Sequence, residues 1–153
     1  MKIQITPNRI IKDAFSVWQE AGPGVDQTVD VKNLTFAENS IEKIYTFHVL
    51  DHLFPNEAAA ALENWRKCLA PGGKLFIVVD DFEWLCRMFV GGSVLIDDFN
   101  EKFTHPTQFT TENLTAFCQK AGFDPNKIVI WYADVTDEFP KQEHELIFQV
   151  EKI

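Results

Sequence analysis

The clearest periodicity in the chain lies between residues 56 and 69, where apolar residues recur at helical spacing. Asn56 can cap the start of this segment, and the acidic Glu57 suits the positive end of a helix dipole. Pro71-Gly72-Gly73 then stops the helix and turns the chain. We therefore predict a helix over 56–69, with these residues on its apolar face: Ala58, Ala61, Leu62, Trp65 and Leu69.

Apolar segments on both sides of this helix predict strands. Leu75–Val79 is a continuous apolar run, typical of a strand that is buried on both faces, and we place a strand at 74–79. Residues 40–47 predict another strand, with Ile41, Ile44 and Tyr45 buried. A strand–helix–strand unit implies parallel strands joined by a right-handed crossover.

Further elements follow the same logic. Thr110 can cap a helix that ends at Gly122, with Leu114, Phe117, Cys118 and Ala121 on its apolar face. Short strands are predicted at 1–5, 127–132 and 145–150. Strands interleaved with helices predict a single α/β domain over 1–153, with a doubly wound and mostly parallel sheet.

In such sheets, ligands bind beyond the carboxyl ends of the strands. The corresponding segments of this chain are 6–8, 30–31, 46–52 and 80–81. They contain several polar and acidic side chains, so we expect a ligand site at this edge of the sheet.

Composition and charge limit the classes of molecule that this protein is expected to bind. The formal net charge is −9 over 153 residues, a field that repels nucleic acid, and no apolar run is long enough to cross a membrane. Cys68, Cys86 and Cys118 form no CxxC pair and fit reduced thiols in a cytoplasmic protein. We expect neither nucleic acid nor membrane as a partner, and the sequence leaves the oligomeric state open.

Three motifs occur in a fixed order: Leu34–Ile41 (LTFAENSI), His48–Leu53 (HVLDHL) and Leu69–Leu75 (LAPGGKL). They resemble the second half of class I S-adenosylmethionine-dependent methyltransferases of the type 11 group, which reads approximately L-P-F-x-D-N-S-F, H-V-L-E-H-L and L-K-P-G-G-x-L. The resemblance extends over roughly Asp30 to Phe123. It implies a compact Rossmann-like methyltransferase fold, S-adenosylmethionine as cofactor, and a small molecule or a protein as methyl acceptor.

By the same resemblance, the cofactor-binding residues would be Thr6, Asn8, Asp30, Val31, Phe47 and His48. The family's glycine-rich cofactor motif is degenerate here, because Gln4 and Thr6 stand at its two glycine positions. The family's ribose-binding acid is missing after Phe15–Trp18, and Glu20 is the nearest substitute. Weaker cofactor binding is therefore expected.

This degeneracy leaves two functions open: a methyltransferase with an altered site, or a non-catalytic module that keeps the fold for binding or oligomerisation. No catalytic residue is assigned, although Asp80, Asp81 or His105 could act as a base for the acceptor. His48 and His52 are spaced like a zinc-binding pair, but no third ligand is indicated. We therefore expect no metal.

Overall fold

A mixed seven-stranded sheet forms the centre of the computed structural model, which describes residues 1–8, 10–135 and 138–153. The strand order is β3-β2-β1-β4-β5-β7-β6, and every pairing is parallel except those of β7 with β5 and β6. The strands are β1 (Lys2–Ile5), β2 (Phe15–Trp18), β3 (Gln27–Thr28), β4 (Ile41–Phe47), β5 (Leu69–Asp80), β6 (Ile128–Trp131) and β7 (Glu145–Glu151).

Two helices cover one face of the sheet, namely α1 (Pro55–Cys68) and α4 (Thr111–Lys120). Trp65 of α1 and Leu114 of α4 belong to the main core cluster beneath them. Two short helices, α2 (Phe82–Val90) and α3 (Ile96–Phe103), follow β5, and Leu85 is the only residue of either helix that is buried. Single 3-10 turns occur at Leu50–His52 and Pro125–Lys127. Within the described residues, no helix is long and apolar enough to cross a membrane.

The opposite face of the sheet is covered by irregular segments. The described parts of the connections from β1 to β2 and from β2 to β3 form turns and no helices. The β3–β4 connection also lacks a helix, but it packs on the α1 face, where Trp65 Nε1 donates to the carbonyl of Val31. A second core cluster lies on this face, where Ile11 and Ala14 from the first connection and Val135 and Phe139 from the β6–β7 connection pack on the strands. Fully buried Tyr45 is part of this cluster. Irregular chain thus replaces helices here, which keeps the fold compact.

Each predicted helix and strand is present in the structure, but several of them begin or end at residues other than those predicted. The mostly parallel, doubly wound sheet is present, and Trp65 and Leu69 are both fully buried. The first helix begins earlier than predicted, because Pro55 occupies its first turn and Glu57 accepts a hydrogen bond from the backbone NH of Phe54, the residue in the capping position. Asn56 is therefore not the cap.

The Pro71-Gly72-Gly73 turn lies inside β5 and does not precede it. Leu69 pairs with Ile41 and Lys74 pairs with Lys43, so the intervening residues bulge out of the ladder. Gly72 adopts a φ of 73°, a backbone conformation that residues other than glycine rarely adopt. Leu69 consequently begins a strand and does not end the helix.

Candidate functional site

A cleft of about 480 Å³ opens at the carboxyl ends of β1, β2 and β4. Its volume falls in the usual range for small-molecule sites. Five of the six residues expected at a cofactor site line it: Thr6, Asn8, Val31, Phe47 and His48. Trp18 and Val49 line it as well, and the structure adds side chains that sequence reasoning did not place there, chiefly Ile10, Gln19 and Leu53. The walls are mainly apolar, with a few polar groups at one end.

The turn after β1 forms without glycine. Thr6 continues the parallel ladder through its backbone NH, which donates to the carbonyl of Val17 at 3.2 Å. Its hydroxyl accepts the backbone NH of Asn8 at 3.2 Å and so holds the turn. Thr6 is absent from the described non-glycine residues with positive φ, which are Asn39 and His48. The turn therefore forms with a threonine at one of the two positions where the family has glycine.

Gln4, at the other glycine position, does not line the cleft. Its side chain is fully buried, and its Oε1 accepts the backbone NH groups of Ile10 and Ile11 at 3.0 and 2.8 Å. Those two donors belong to the irregular segment that covers the second face of the sheet. Gln4 thus secures this segment and leaves the entrance of the cleft unobstructed.

The predicted acidic residues lie away from the cleft. Asp30 accepts the backbone NH of Lys32 and so closes a local turn, and only its neighbour Val31 reaches the cleft. Glu20 is exposed and does not line the cleft. Gln19, the first residue after β2, does line it. Its amide oxygen is an acceptor one residue beyond Trp18, the strand end at which the family has an acid, and the search for a carboxylate overlooked it.

His48 turns the chain at the end of β4. Its φ of 51° is unusual for a residue with a side chain, and such a conformation costs on the order of 1–2 kcal/mol. The backbone NH of His48 still donates to Val78 of β5 at 2.9 Å, so the strained residue is fixed to the sheet. This geometry directs the imidazole towards the carboxyl end of β5 and the amino end of the antiparallel β7.

Acidic and histidine side chains cluster around that imidazole. His48 Nε2 lies 3.0 Å from Glu145 Oε1, and its Nδ1 lies 3.7 Å from Asp51 Oδ2 and 3.8 Å from Asp80 Oδ1. Burial alone would lower the pKa of His48, but Asp51 and Glu145 raise it to about 10. At neutral pH the imidazole is therefore protonated and lies between carboxylates.

The carboxylates of this cluster are themselves buried. Asp51 is 2% exposed, and although burial opposes its ionisation, the neighbouring imidazoles of His105 and His48 lower its pKa well below the usual range. Asp80 accepts from Lys102 Nζ through both oxygens, at 3.0 and 3.1 Å. The cluster is thus a set of paired charges at the end of the cleft.

The three candidate bases have different environments. Asp81 Oδ1 caps α2 by accepting the backbone NH groups of Glu83 and Trp84, which commits it to a structural contact. His105 Nδ1 lies 3.4 Å from Asp51 Oδ2 and 3.6 Å from Asp80 Oδ2. Asp80 and His105 therefore remain in the cluster beside the cleft.

The suspected zinc pair does not share a face. His48 contacts the Asp80 and Glu145 side, and His52 packs its ring against His105 with the centroids 4.3 Å apart. The 3-10 turn between the two histidines accounts for this separation, because their four-residue spacing aligns side chains only on an α-helix.

Comparison with known proteins agrees with this geometry. Residues 4–77 match the family model described as a methyltransferase domain. A search of curated protein sequences finds no match to this chain.

Among solved structures, a methyltransferase from Thermotoga maritima, described as S-adenosylmethionine-dependent and as a possible histamine N-methyltransferase, superimposes with a TM-score of 0.69 at 15% identity. That match covers 99% of this chain and 82% of the other. An S-adenosylmethionine-dependent methyltransferase from Archaeoglobus fulgidus gives 0.68 at 11% identity, over 99% and 85%. A structure of PigF with SAH gives 0.54 at 14% identity, over 82% and 34%. The chain thus has the fold of the S-adenosylmethionine-dependent methyltransferases to which it is similar, and its residues 4–77 match a methyltransferase-domain model.

Proposed function

We propose that this protein binds S-adenosylmethionine in the cleft at the carboxyl ends of β1, β2 and β4, and transfers its methyl group to a small-molecule acceptor. The observation that supports this most is the open cleft itself, which lies where α/β sheets bind ligands and collects Thr6, Asn8 and Phe47. When bound, the cofactor supplies an electrophilic methyl group. The chain's own residues then have to bind, orient and desolvate the reactants.

The cleft suits a ligand with a flat aromatic part and a polar part. Val31, Phe47 and Trp18 provide apolar surface, and Thr6, Asn8 and Gln19 provide polar groups. We assign Gln19 the role of accepting hydrogen bonds from the ribose hydroxyls. We assign Val31 and Phe47 the role of contacting the adenine. A neutral amide accepts less strongly than a carboxylate, so affinity should be below that of a site with the acid.

The acceptor would lie beside His48, where the cleft meets the cluster of Asp51 and Asp80. His105 and Asp80 are our candidates for the group that takes a proton from the acceptor. The acidic surroundings favour a neutral or cationic acceptor over an anionic one. We also propose a cytoplasmic location, since all three cysteines are free thiols.

The alternative, a binding or oligomerisation module without catalysis, is not favoured. It required Gln4, Thr6 and Trp18 to fill the space of the adenosine. Gln4 instead packs beneath residues 10–11, and Thr6 and Trp18 line an open cleft.

The test is conversion of S-adenosylmethionine to S-adenosylhomocysteine in the presence of a panel of small amines, phenols and carboxylic acids. We expect product only with acceptors that are neutral or cationic. The Ile10→Trp variant should form no product, because its large ring stands at the exposed edge of the cleft. Cofactor-independent heat stability should be unchanged in that variant, because Ile10 is 44% exposed. Turnover by the Ile10→Trp variant at the native rate would place the site elsewhere.

A further inference from the structure

Residues 82–108, which we name the cap, leave the sheet and return to it at a single point. The backbone NH of Phe82 donates to the carbonyl of Phe109 at 2.9 Å, and Asp81 forms a parallel bridge with Phe109. Both ends of the cap therefore lie at the carboxyl end of β5, where Asp80 approaches His48 of the cleft. The helices α2 and α3 lie between these two ends.

The cap adds almost nothing to the core of the molecule. Leu85 and Thr107 are its only buried residues, and Leu85 belongs to neither core cluster of the described residues. The cap has aromatic contacts of its own, since Phe99 stacks on Phe89 and on Phe103 with ring centroids 4.3 and 5.6 Å apart. A segment with few contacts to the core opens at a lower free energy than the core does, and its internal contacts favour movement as one body.

Two side chains of the cap donate hydrogen bonds to the rest of the described structure. Lys102 Nζ donates to both oxygens of the Asp80 carboxylate, at 3.0 and 3.1 Å, and the Thr107 hydroxyl donates to the carbonyl of Leu53 at 2.6 Å. Charged hydrogen bonds are roughly twice as strong as neutral ones. Because Asp80 is also buried, separating it from Lys102 would leave a buried charge without its direct partner. The Lys102–Asp80 pair is thus the main attachment of the cap.

The closed cap leaves two buried polar atoms without hydrogen-bond partners among the described residues. They are Asp51 Oδ1 and, within the cap, His105 Nδ1, which lies 3.4 Å from the other oxygen of Asp51. Buried polar atoms that lack partners cost free energy. Opening the cap separates His105 from Asp51 and lets water reach both side chains. The closed form therefore gains stability from the Lys102–Asp80 pair and loses some of it at His105 and Asp51.

We propose that the cap opens as one unit about its two ends, with the Lys102–Asp80 pair as its latch, and so controls access to the end of the cleft. In the closed form, Lys102 and His105 lie against Asp80 and Asp51, whose side chains are both buried. Opening exposes these carboxylates to a ligand in the cleft, the gating role that lids have in many enzymes. That this ligand is the methyl acceptor rests on the proposed function, whereas the opening itself does not.

Hydrogen–deuterium exchange of the native protein, followed by mass spectrometry without any methyl donor or acceptor, tests the opening. We expect the amides of α2 and α3 to exchange about a hundredfold or more faster than those of β4 and β5, because the cap opens without the core. Exchange in α2 and α3 as slow as in β4 and β5 would overturn the proposal, since the cap would then open only when the whole domain unfolds. Because neither ligand is present, the outcome is independent of methyl transfer.

The Lys102→Met variant tests both the latch and the movement as one unit. The amides of α2, a helix that does not contain Lys102, should exchange at least about tenfold faster, and by the same factor as those of α3. Thr107→Val removes the second attachment and should accelerate both helices by a smaller common factor. Acceleration confined to the residues next to Lys102 would show local fraying of α3 and would overturn the proposal.

Arg87→Met and Lys102→Arg are the matched controls. Arg87 is a cation of the cap that pairs with Glu83 on the same helix at 3.4 Å, and both side chains are exposed. Its loss should leave the exchange of both helices within about twofold of the native rates. Lys102→Arg keeps a cation that can bind both oxygens of Asp80, so it should retain slow exchange. Equal acceleration by Arg87→Met and Lys102→Met would show that the latch does not hold the cap, and would overturn the proposal.

Discussion

Gln4 and Ser16 are paired across β1 and β2, and both are fully buried. Gln4 Oε1 accepts two backbone NH groups, whereas Ser16 Oγ has no hydrogen-bond partner among the described residues. Gln4 Nε2 is also buried without a partner among the described residues, so Gln4 combines a stabilising acceptor with an unsatisfied donor. One acceptor stabilises a whole segment, and the other hydroxyl contributes only the cost of its own burial.

Replacing Gln4 by Leu should destabilise the protein by about 1–3 kcal/mol, because the buried backbone NH of Ile11 loses its acceptor, whereas the NH of the exposed Ile10 can turn to water. Ser16→Ala is the control, and its free energy of unfolding should equal or exceed that of the native protein. Both values come from urea denaturation. A Gln4→Leu variant as stable as Ser16→Ala would show that residues 10–11 do not depend on this side chain.

Glu138 joins the β6–β7 connection to the sheet by accepting hydrogen bonds from Lys43 Nζ and the Tyr45 hydroxyl. Burial opposes the ionisation of Glu138, but these two partners outweigh it and lower its pKa. A carboxyl with a lowered pKa in the folded state adds stability above its unfolded pKa, and this stability is lost as the pH falls through the folded value.

We therefore expect the native protein to lose its stability advantage over Glu138→Gln as the pH is lowered below the ordinary glutamate pKa. The measurement is the difference in free energy of unfolding between the two proteins across the acid range. That difference should be greatest near neutral pH. A difference that stays constant with pH would mean that the ionised carboxylate of Glu138 is not the stabilising form.

At the scale of elements, the β6–β7 connection occupies the face that lacks helices in the described structure. Phe139 is buried and lies edge-on to Tyr45, Phe47 and Phe76, with ring centroids 6.2, 5.1 and 6.3 Å away. Edge-to-face aromatic contacts of this kind add to the hydrophobic gain. One side chain from an irregular segment thus replaces part of a helix face.

Phe139→Ala should lower the free energy of unfolding by about 3–5 kcal/mol, since a large cavity would open above β4 and β5. Tyr132→Ala serves as control in the same connection. Tyr132 is 82% exposed, and its loss should change stability by less than about 0.5 kcal/mol. Equal effects of the two substitutions would indicate that this connection does not seal the second face.

For the whole molecule, the fold followed from the sequence wherever hydrophobic periodicity was strong. The predicted helix at 56–69 and strands at 40–47 and 74–79 correspond to α1, β4 and β5, because each places a continuous apolar surface in the core. The short helices α2 and α3 were not predicted from the sequence. Leu85 is the only residue of these two helices that is buried, so neither helix adds a continuous apolar surface to the core.

The candidate site was predictable only in part. The segments at 46–52 and 80–81 meet at one edge of the sheet, as strand direction requires. Gln19 was missed because only carboxylates were sought near the end of β2, and Gln19 carries an amide. The grouping of His105 with Asp51 was missed because residues 51 and 105 are distant in the sequence and no local spacing relates them.

The central claim is that the open cleft binds the methyl-donor cofactor despite the substituted glycines and the missing acid. Isothermal titration with S-adenosylhomocysteine tests it most directly, on the native protein, Gln19→Asp and the control Glu20→Asp. Gln19 lines the cleft and Glu20 does not, so only the first substitution adds a carboxylate beside the ligand. We predict saturable one-to-one binding to the native protein and no change in affinity in Glu20→Asp. Gln19→Asp should bind roughly tenfold more tightly, because a charged hydrogen bond is worth about 1.5 kcal/mol or more. No binding to any of the three folded proteins at millimolar ligand would contradict it.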